Sequence, residues 1–240
     1  MIKKIIFSGV FSAVATMGQA QLKHNRFADL TVSAGSSQGT VAASYVYNWK
    51  LGKKSKWEAG IGARWTGYFG TKKDFITAPA RLARTSTIPF LIFFAGQRAE
   101  SQDTLTVQRP FTHSLNLSIN VGYHFNDKWN AGFNIDAIGF TAGRKSSAIL
   151  NSNGTARAEP VAKPAAFNLL LTGDHDRGSL NSEFFLKYKL NRQWGVKAVY
   201  QFVFVEYKTT TIKQTAPDGT LVDRFRNKAN TLGLGVSYHF

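Results

Sequence analysis

The sequence predicts an all-β protein: a closed antiparallel barrel of eight strands that crosses a membrane. Three observations predict it. Eight segments alternate between apolar residues and small or polar ones, the period of two expected of a strand with unlike faces. Aromatic residues recur on both sides of each short turn. The polar faces carry charges of both signs, which are costly in a dry core unless paired.

The cleanest alternation closes the chain. In Asn230 to Phe240, Leu232, Leu234, Val236, Tyr238 and Phe240 share one face, and Thr231, Gly233, Gly235, Ser237 and His239 share the other. Ala28 to Gly35 is the first strand, with Leu30 and Val32 opposite Asp29, Thr31 and Ser33. Thr40 to Lys50 follows a short Ser/Gly turn and puts Tyr45, Tyr47 and Trp49 outward. Trp57 to Phe69 opposes Trp57, Ile61 and Trp65 to Glu58, Gly60, Gly62 and Arg64. Leu115 to Phe125 and Trp129 to Phe140 come next, the latter with Asn130, Asn134 and Asp136 inward. Leu180 to Leu190 sets Leu180, Phe184, Leu186 and Tyr188 against Asn181, Glu183, Lys187 and Lys189. Trp194 to Tyr207 sets Val196, Tyr200 and Phe204 against Lys197, Val199 and Gln201.

The short connections resemble one another: "YNWKLGKKSKWEAG", "YHFNDKWNAG" and "YKLNRQWGVK". In each, aromatics precede a polar turn and a Trp follows it. Trp49, Trp57, Tyr123, Phe125, Trp129, Tyr188, Trp194, Tyr238 and Phe240 therefore fall at one height, as an aromatic girdle at a membrane interface would. The remaining connections are long: Gly70–His113, Gly143–Ser179 and Lys208–Lys228, each with more Lys and Arg than Asp and Glu. The first contains the apolar run Ile88 to Ala95. There Pro89, Phe90, Leu91, Phe93 and Phe94 would form a lid on the mouth or contact an apolar ligand. An alternative adds this run and its neighbours as a strand pair, giving ten strands; Pro79 and Pro89 weigh against it.

Residues 1–20 have the layout of a signal peptide: Lys3 and Lys4, an apolar run from Ile5 to Met17, and Gly18-Gln19-Ala20 before a cut at Gln21. The mature domain would be 21–240. The chain has no cysteine, so packing or closed hydrogen bonding must hold it together. Its formal net charge of +16 falls to +14 when Lys3 and Lys4 leave with the signal. An exported chain without a nucleic-acid motif points that charge toward anionic lipid headgroups or lipopolysaccharide phosphates, or toward loop solubility.

A secreted β-sandwich would have shorter strands and a polar outer face. The strands here reach the roughly 9–11 residues that cross a bilayer, the first excepted. With its strand topology, its signal-like start and its last strand ending on an aromatic, the mature chain resembles small bacterial outer-membrane β-barrels. These are the OmpA/OmpX-like group, in the style of Bacteroidetes outer-membrane barrel domains. The resemblance implies an outer-membrane location, periplasmic short turns, external long loops, contact with outer-membrane lipids and lipopolysaccharide, and recognition of the last strand by the barrel assembly machinery. It leaves activity open.

The inward charges Asp29, Glu58, Arg64, Asp136, Glu183, Lys187 and Lys197 read in two ways. Either Glu58, Arg64, Asp136 and Lys187 gate a narrow ion path, or the charges form a salt-bridge network that fills the interior. The second is favoured, because eight strands leave room for little more than side chains. No GxSxG, HExxH or phosphate loop occurs, His113-Ser114 is the only His/Ser neighbour pair, and "GDHDRG" (Gly173–Gly178) reads as a solvated turn rather than a metal loop. The expectation is a monomeric, non-enzymatic barrel without cofactor or metal and without nucleic acid. Its role would be structural or external ligand binding. The alternative is a porin-like small-solute or lipid-handling barrel.

Overall fold

A computed structural model describes residues 24–83, 102–152, 154–171 and 176–240. The signal-like segment, the Ile88–Ala95 run and the first half of "GDHDRG", Gly173 to His175, lie outside them. Fifteen strands occur among the described residues: β1 (His24–Gly35), β2 (Gln38–Leu51), β3 (Trp57–Gly70), β4 (Lys72–Thr77), β5 (Thr104–Gln108), β6 (Phe111–His124), β7 (Trp129–Gly143), β8 (Ser146–Ser152), β9 (Thr155–Pro164), β10 (Phe167–Leu169), β11 (Leu180–Lys189), β12 (Trp194–Lys208), β13 (Gln214–Thr215), β14 (Leu221–Val222) and β15 (Arg224–His239). One helical turn, Ala80–Ala83, follows β4.

Eight long strands pair in a closed antiparallel ring. The order is β1, β2, β3, β6, β7, β11, β12, β15, and β15 returns to β1 through Ala28↔Tyr238 to Ala34↔Leu232. Closure leaves none of these strands with an unpaired edge along its shared length. Local chemistry starts the strands. The Asn126 side chain accepts from the amides of Lys128 and Trp129, both at 2.9 Å, and Asn191 does the same for Gln193 (2.9 Å) and Trp194 (2.8 Å). These two Asx turns place a Trp at the head of β7 and of β12.

The long connections are not loops draped over the mouth. They extend the sheet. The β3–β6 ladder runs on into β4–β5, from Phe69↔Phe111 to Lys72↔Gln108, and β6–β7 runs on into β5–β8. The β1–β2 turn is only two residues, so both strands end below this level. β4 then crosses above them and pairs with β15, at Phe225↔Thr77 and Arg226↔Ile76. On the other side β9 pairs with β12, at Tyr207↔Pro164 and Lys208↔Lys163. A second closed circuit results: β4, β5, β8, β9, β12, β15. The neighbours of the Ile88–Ala95 run, β4 and β5, thus form a strand pair above the eight-strand ring, not within it. Because diameter grows with strand number, the molecule tapers.

The upper circuit has its own apolar core, built by Phe75, Leu105, Val107, Leu150, Val205, Tyr207 and Phe225, none of them measurably exposed. Inside the lower ring the core is polar, while Leu115, Leu117, Ile119, Leu232 and Leu234 face outward and are exposed. Two details depart from simple alternation. Leu117 and Ser118 pair with Ile138 and Asp136, leaving Ala137 as a bulge, and the faces of upper β7 shift so that Phe140 points out. Leu180, expected outward, is buried. Gly132 is required where it is: a Cβ there would stand 2.5 Å from the Phe185 ring and 2.5 Å from the Val121 carbonyl oxygen.

Glu159 ties this upper circuit, the cap of the ring, together. Its carboxylate accepts the amides of Val161 (3.1 Å), Thr211 (3.0 Å) and Ile212 (3.0 Å) and the Thr210 hydroxyl (3.1 Å). Burial alone would raise its pKa, but these hydrogen bonds more than offset that and hold it below the ordinary glutamate value. A lowered folded pKa gives stability that is complete above the unfolded value, about 4.3, and is lost as pH falls through the folded one. Amide exchange at Thr211 and Ile212, corrected for intrinsic rate, should lose about tenfold in protection at pH 3 relative to pH 7. Glu159→Gln should show weak protection at both. Equal protection in both proteins would refute this role.

Candidate functional site: a filled lumen

The inner face of the eight-strand ring brings the sequence-predicted charges together. Asp29 on β1 sits between Lys187 on β11 (3.2 Å) and Lys197 on β12 (2.9 Å), and Ser237 on β15 donates to it at 2.6 Å. Lys197 also reaches Glu183 at 2.6 Å. Glu183 accepts from the Gln201 amide at 3.0 Å, and Gln201 in turn accepts from Ser33 and Thr40, both at 2.6 Å. All these groups are at most 5% exposed. Period two places each of them, since every one lies on the inward register of its strand.

A second cluster lies on β3, β6, β7 and β11. Arg64 donates to Asp136 through Nε (2.9 Å) and Nη2 (2.6 Å), and also to the Asn134 side chain and the Asn181 carbonyl. Asp136 accepts further from the Asn116 side-chain amide (2.7 Å) and the Asn181 backbone (3.0 Å). Both Arg64 donors converge on Oδ1 of Asp136 and the other two donors take Oδ2, so the carboxylate's lone pairs are filled, the condition under which a buried ion pair offsets its desolvation.

Glu58 stands apart from both clusters, at the end where the short turns lie. It meets His124 at 2.9 Å and accepts from Asn25 at 2.9 Å. Just above, the Lys187 ammonium lies 3.5 Å from the centre of the Phe27 ring. Thus six of the seven predicted charges share two networks, and Glu58 belongs to a third group. Sequence reading missed His124, Gln201, Asn116 and Asn134 as partners, although their inward register was visible.

Above Gln201 the inward face of β12 turns apolar, as Val203, Val205 and Tyr207, and enters the core of the cap. Tyr207 stacks edge-on against Phe75 at 5.2 Å. The lumen is therefore stopped twice: by ion pairs through its length and by an apolar core where eight strands narrow to six.

The outer face carries two aromatic belts. The lower holds all nine predicted girdle residues. Trp57 packs on Tyr123 (4.8 Å), Trp129 on Tyr188 (4.8 Å), Trp194 on Tyr238 (5.1 Å) and Phe240 on Tyr238 (5.2 Å), while Phe125 meets Tyr123 (5.3 Å) and Trp49 meets Tyr47 (5.1 Å). The upper belt was not anticipated. It holds Trp65, His113 and Phe111 in contact, then Phe140 with Phe167, and Phe202 with Phe204. Eight residues part Trp57 from Trp65 on β3, a rise of ~21 Å at the usual strand rise and tilt, close to the ~25 Å apolar band of a membrane barrel. Among the described residues no helix is long and apolar enough to cross a membrane, and no cluster of three or more His, Cys, Asp or Glu could hold a metal ion. Asp176, from the "GDHDRG" turn, accepts the Leu171 amide at 2.5 Å.

No family model and no curated protein matches the sequence. Among solved structures the chain is similar to Ail, the attachment invasion locus protein of Yersinia pestis, at 9% identity and TM-score 0.36, covering 92% of this chain and 100% of that one. It is similar to Neisserial surface protein A at 8% identity and TM-score 0.34, covering 90% and 96%. A FadL homologue of Pseudomonas aeruginosa follows at 13% identity and TM-score 0.21, covering 84% and 68%.

Proposed function

We propose that the chain is an integral outer-membrane barrel of eight strands that does not conduct and is not an enzyme. Its role is to stabilise the envelope or to present its cap to external ligands. One observation carries the reading: the ring is inside-out. Leu232 and Leu234 are 69% and 72% exposed on its outer face, while Asp29, Glu183, Lys187 and Lys197 are at most 5% exposed within. A water-soluble ring would reverse this, and only a closed ring satisfies its backbone in lipid. The short turns then lie in the periplasm, and the cap with its basic surface faces outward, beside outer-membrane lipid and lipopolysaccharide. Export through residues 1–20, recognition of the last strand by the assembly machinery, and a monomeric state belong to the same reading.

The pore alternative is weakened by the double stop in the lumen. Lipid handling through Ile88–Ala95 rests on residues outside the described part. The test is conductance of the refolded chain in planar bilayers. Folded protein should give no discrete steps. Steps that change with charge reversal at Asp29 or Lys197 would overturn the sealed reading.

A further inference from the structure

Three long strands bend or break where the ring narrows, at Thr71, at Arg109–Pro110 and at Arg144–Lys145. The bends are pinned from inside: the Tyr207 hydroxyl holds the Phe111 amide (3.1 Å) and the Arg144 carbonyl (3.0 Å). From outside they carry Lys72, Arg109, Arg144 and Lys145, while Lys73 shares its register with buried Phe75 and donates to the Ser36 carbonyl. Among the described residues none of these five makes an ion pair, and all but Lys73 are exposed. The nearest acid on these strands, Asp74, accepts from the Thr106 hydroxyl at 2.6 Å. The opposite side of the cap is unlike this, for there Glu206 takes both Arg224 (2.8 Å) and Arg226 (2.9 Å).

Arg109 is the telling residue. Its φ is +45°, a left-handed backbone that disfavours any side chain and that glycine adopts freely. A long cation kept at such a position points to a use for the side chain, because observed strain is the proper start for a functional hypothesis. Directly below stands the upper aromatic belt, with the Arg144 guanidinium 5.7 Å from the Phe111 ring centre. Like charges crowded over an apolar boundary repel one another unless an anion joins them. Arginine is suited to phosphate through its planar fork of donors.

We infer that this knee, on the β3–β6–β7 side of the cap alone, is a binding site for phosphate groups, and that a phosphorylated glycolipid of the outer leaflet supplies them. The inference rests on the membrane reading above. The test uses the full mature chain refolded in phosphatidylcholine vesicles, with and without bis-phosphorylated lipid A, and reads the thermal unfolding midpoint. Lipid A should raise the wild-type midpoint. In Arg109→Gly and in Arg144→Gln the rise should be at least halved, and dephosphorylated lipid A should give none. Arg109→Gly adds a second readout: without lipid A it should unfold no lower than wild type, since glycine relieves the backbone. Equal rises in wild type and variants, or a rise with dephosphorylated lipid, would overturn the site. Protection by inorganic phosphate equal to that by lipid A would uphold phosphate recognition and place its source in solution. A chain that protease digests throughout in vesicles has not inserted and fails the membrane reading itself; an inserted chain indifferent to lipid A fails only the site.

Discussion

Asp29→Asn should destabilise the folded barrel by ~3–5 kcal/mol, the usual cost of stripping one partner from a buried ion pair. Among the described residues Asp29 is the only carboxylate in ion-pair contact with Lys187, and it shares Lys197 with Glu183. Neutralising it leaves one ammonium buried against the Phe27 and Phe185 rings without a counter-charge. The measurement is urea unfolding in phospholipid vesicles. Asp29→Asn combined with Lys187→Met should recover part of the loss, since Lys197 and Glu183 then remain as a matched pair. A single variant within about 0.5 kcal/mol of wild type would mean that Lys187 is hydrated and the lumen is wetter than the packing indicates.

Leu234→Arg is the second large effect, and it separates membrane from water. Leu234 lies four residues above Tyr238 on β15, ~10 Å along the normal and so near the middle of an apolar band ~25 Å tall. Its neighbours across the ladders are Val32 and Ala198. In lipid the arginine should cost ~2–4 kcal/mol. On a water-exposed sheet the same change, at 72% exposure, would fall within about ±0.5 kcal/mol. Ser147→Arg, an exposed position on β8 in the cap, serves as the control and should be silent. Equal effects at the two sites in vesicles would sink the membrane assignment.

Much of the ring was legible because it is inverted. A barrel with an apolar exterior and a polar interior writes period two at full contrast, so that Leu115 to Phe125 or Thr231 to Phe240 reads without ambiguity. The lumen clusters followed from the same contrast, since a charge on an inward register has few places to go. The cap did not show through, for three physical reasons. Its strands are short. β8 is apolar on both faces, with Ala148 and Leu150 inside and Ile149 outside, which erases the period. β9 carries Pro160 and Pro164, the marks of a break, yet its prolines lie in a strand that meets β12 through only two residue pairs. Arg224 and Arg226 were read as loop charges for a like reason: nothing local reveals that β15 starts as early as Arg224 and pairs with β12 as far as Lys208. The bulge at Ala137 shifted the faces of β7 by one residue, and no turn residue announces it.

Strands β12 and β15 form a wall common to both circuits, and this constrains how the chain can reach its native state. Their pairing with each other spans a modest loop, as does the Lys197–Glu183 contact at a separation of 14 residues. The seam that shuts the lower circuit joins Asp29 to Ser237 across 208 residues, so its closure carries a much larger loop entropy. The common hairpin can therefore form early and act as a template from which cap and barrel both grow. Because side chains alternate with every residue, a one-residue slip in that hairpin would turn Val205 and Tyr207 out of the upper core and Lys197 and Gln201 out of the lower one together. Neither circuit can settle into a wrong alignment alone, and each acts as a check on the other as the chain folds.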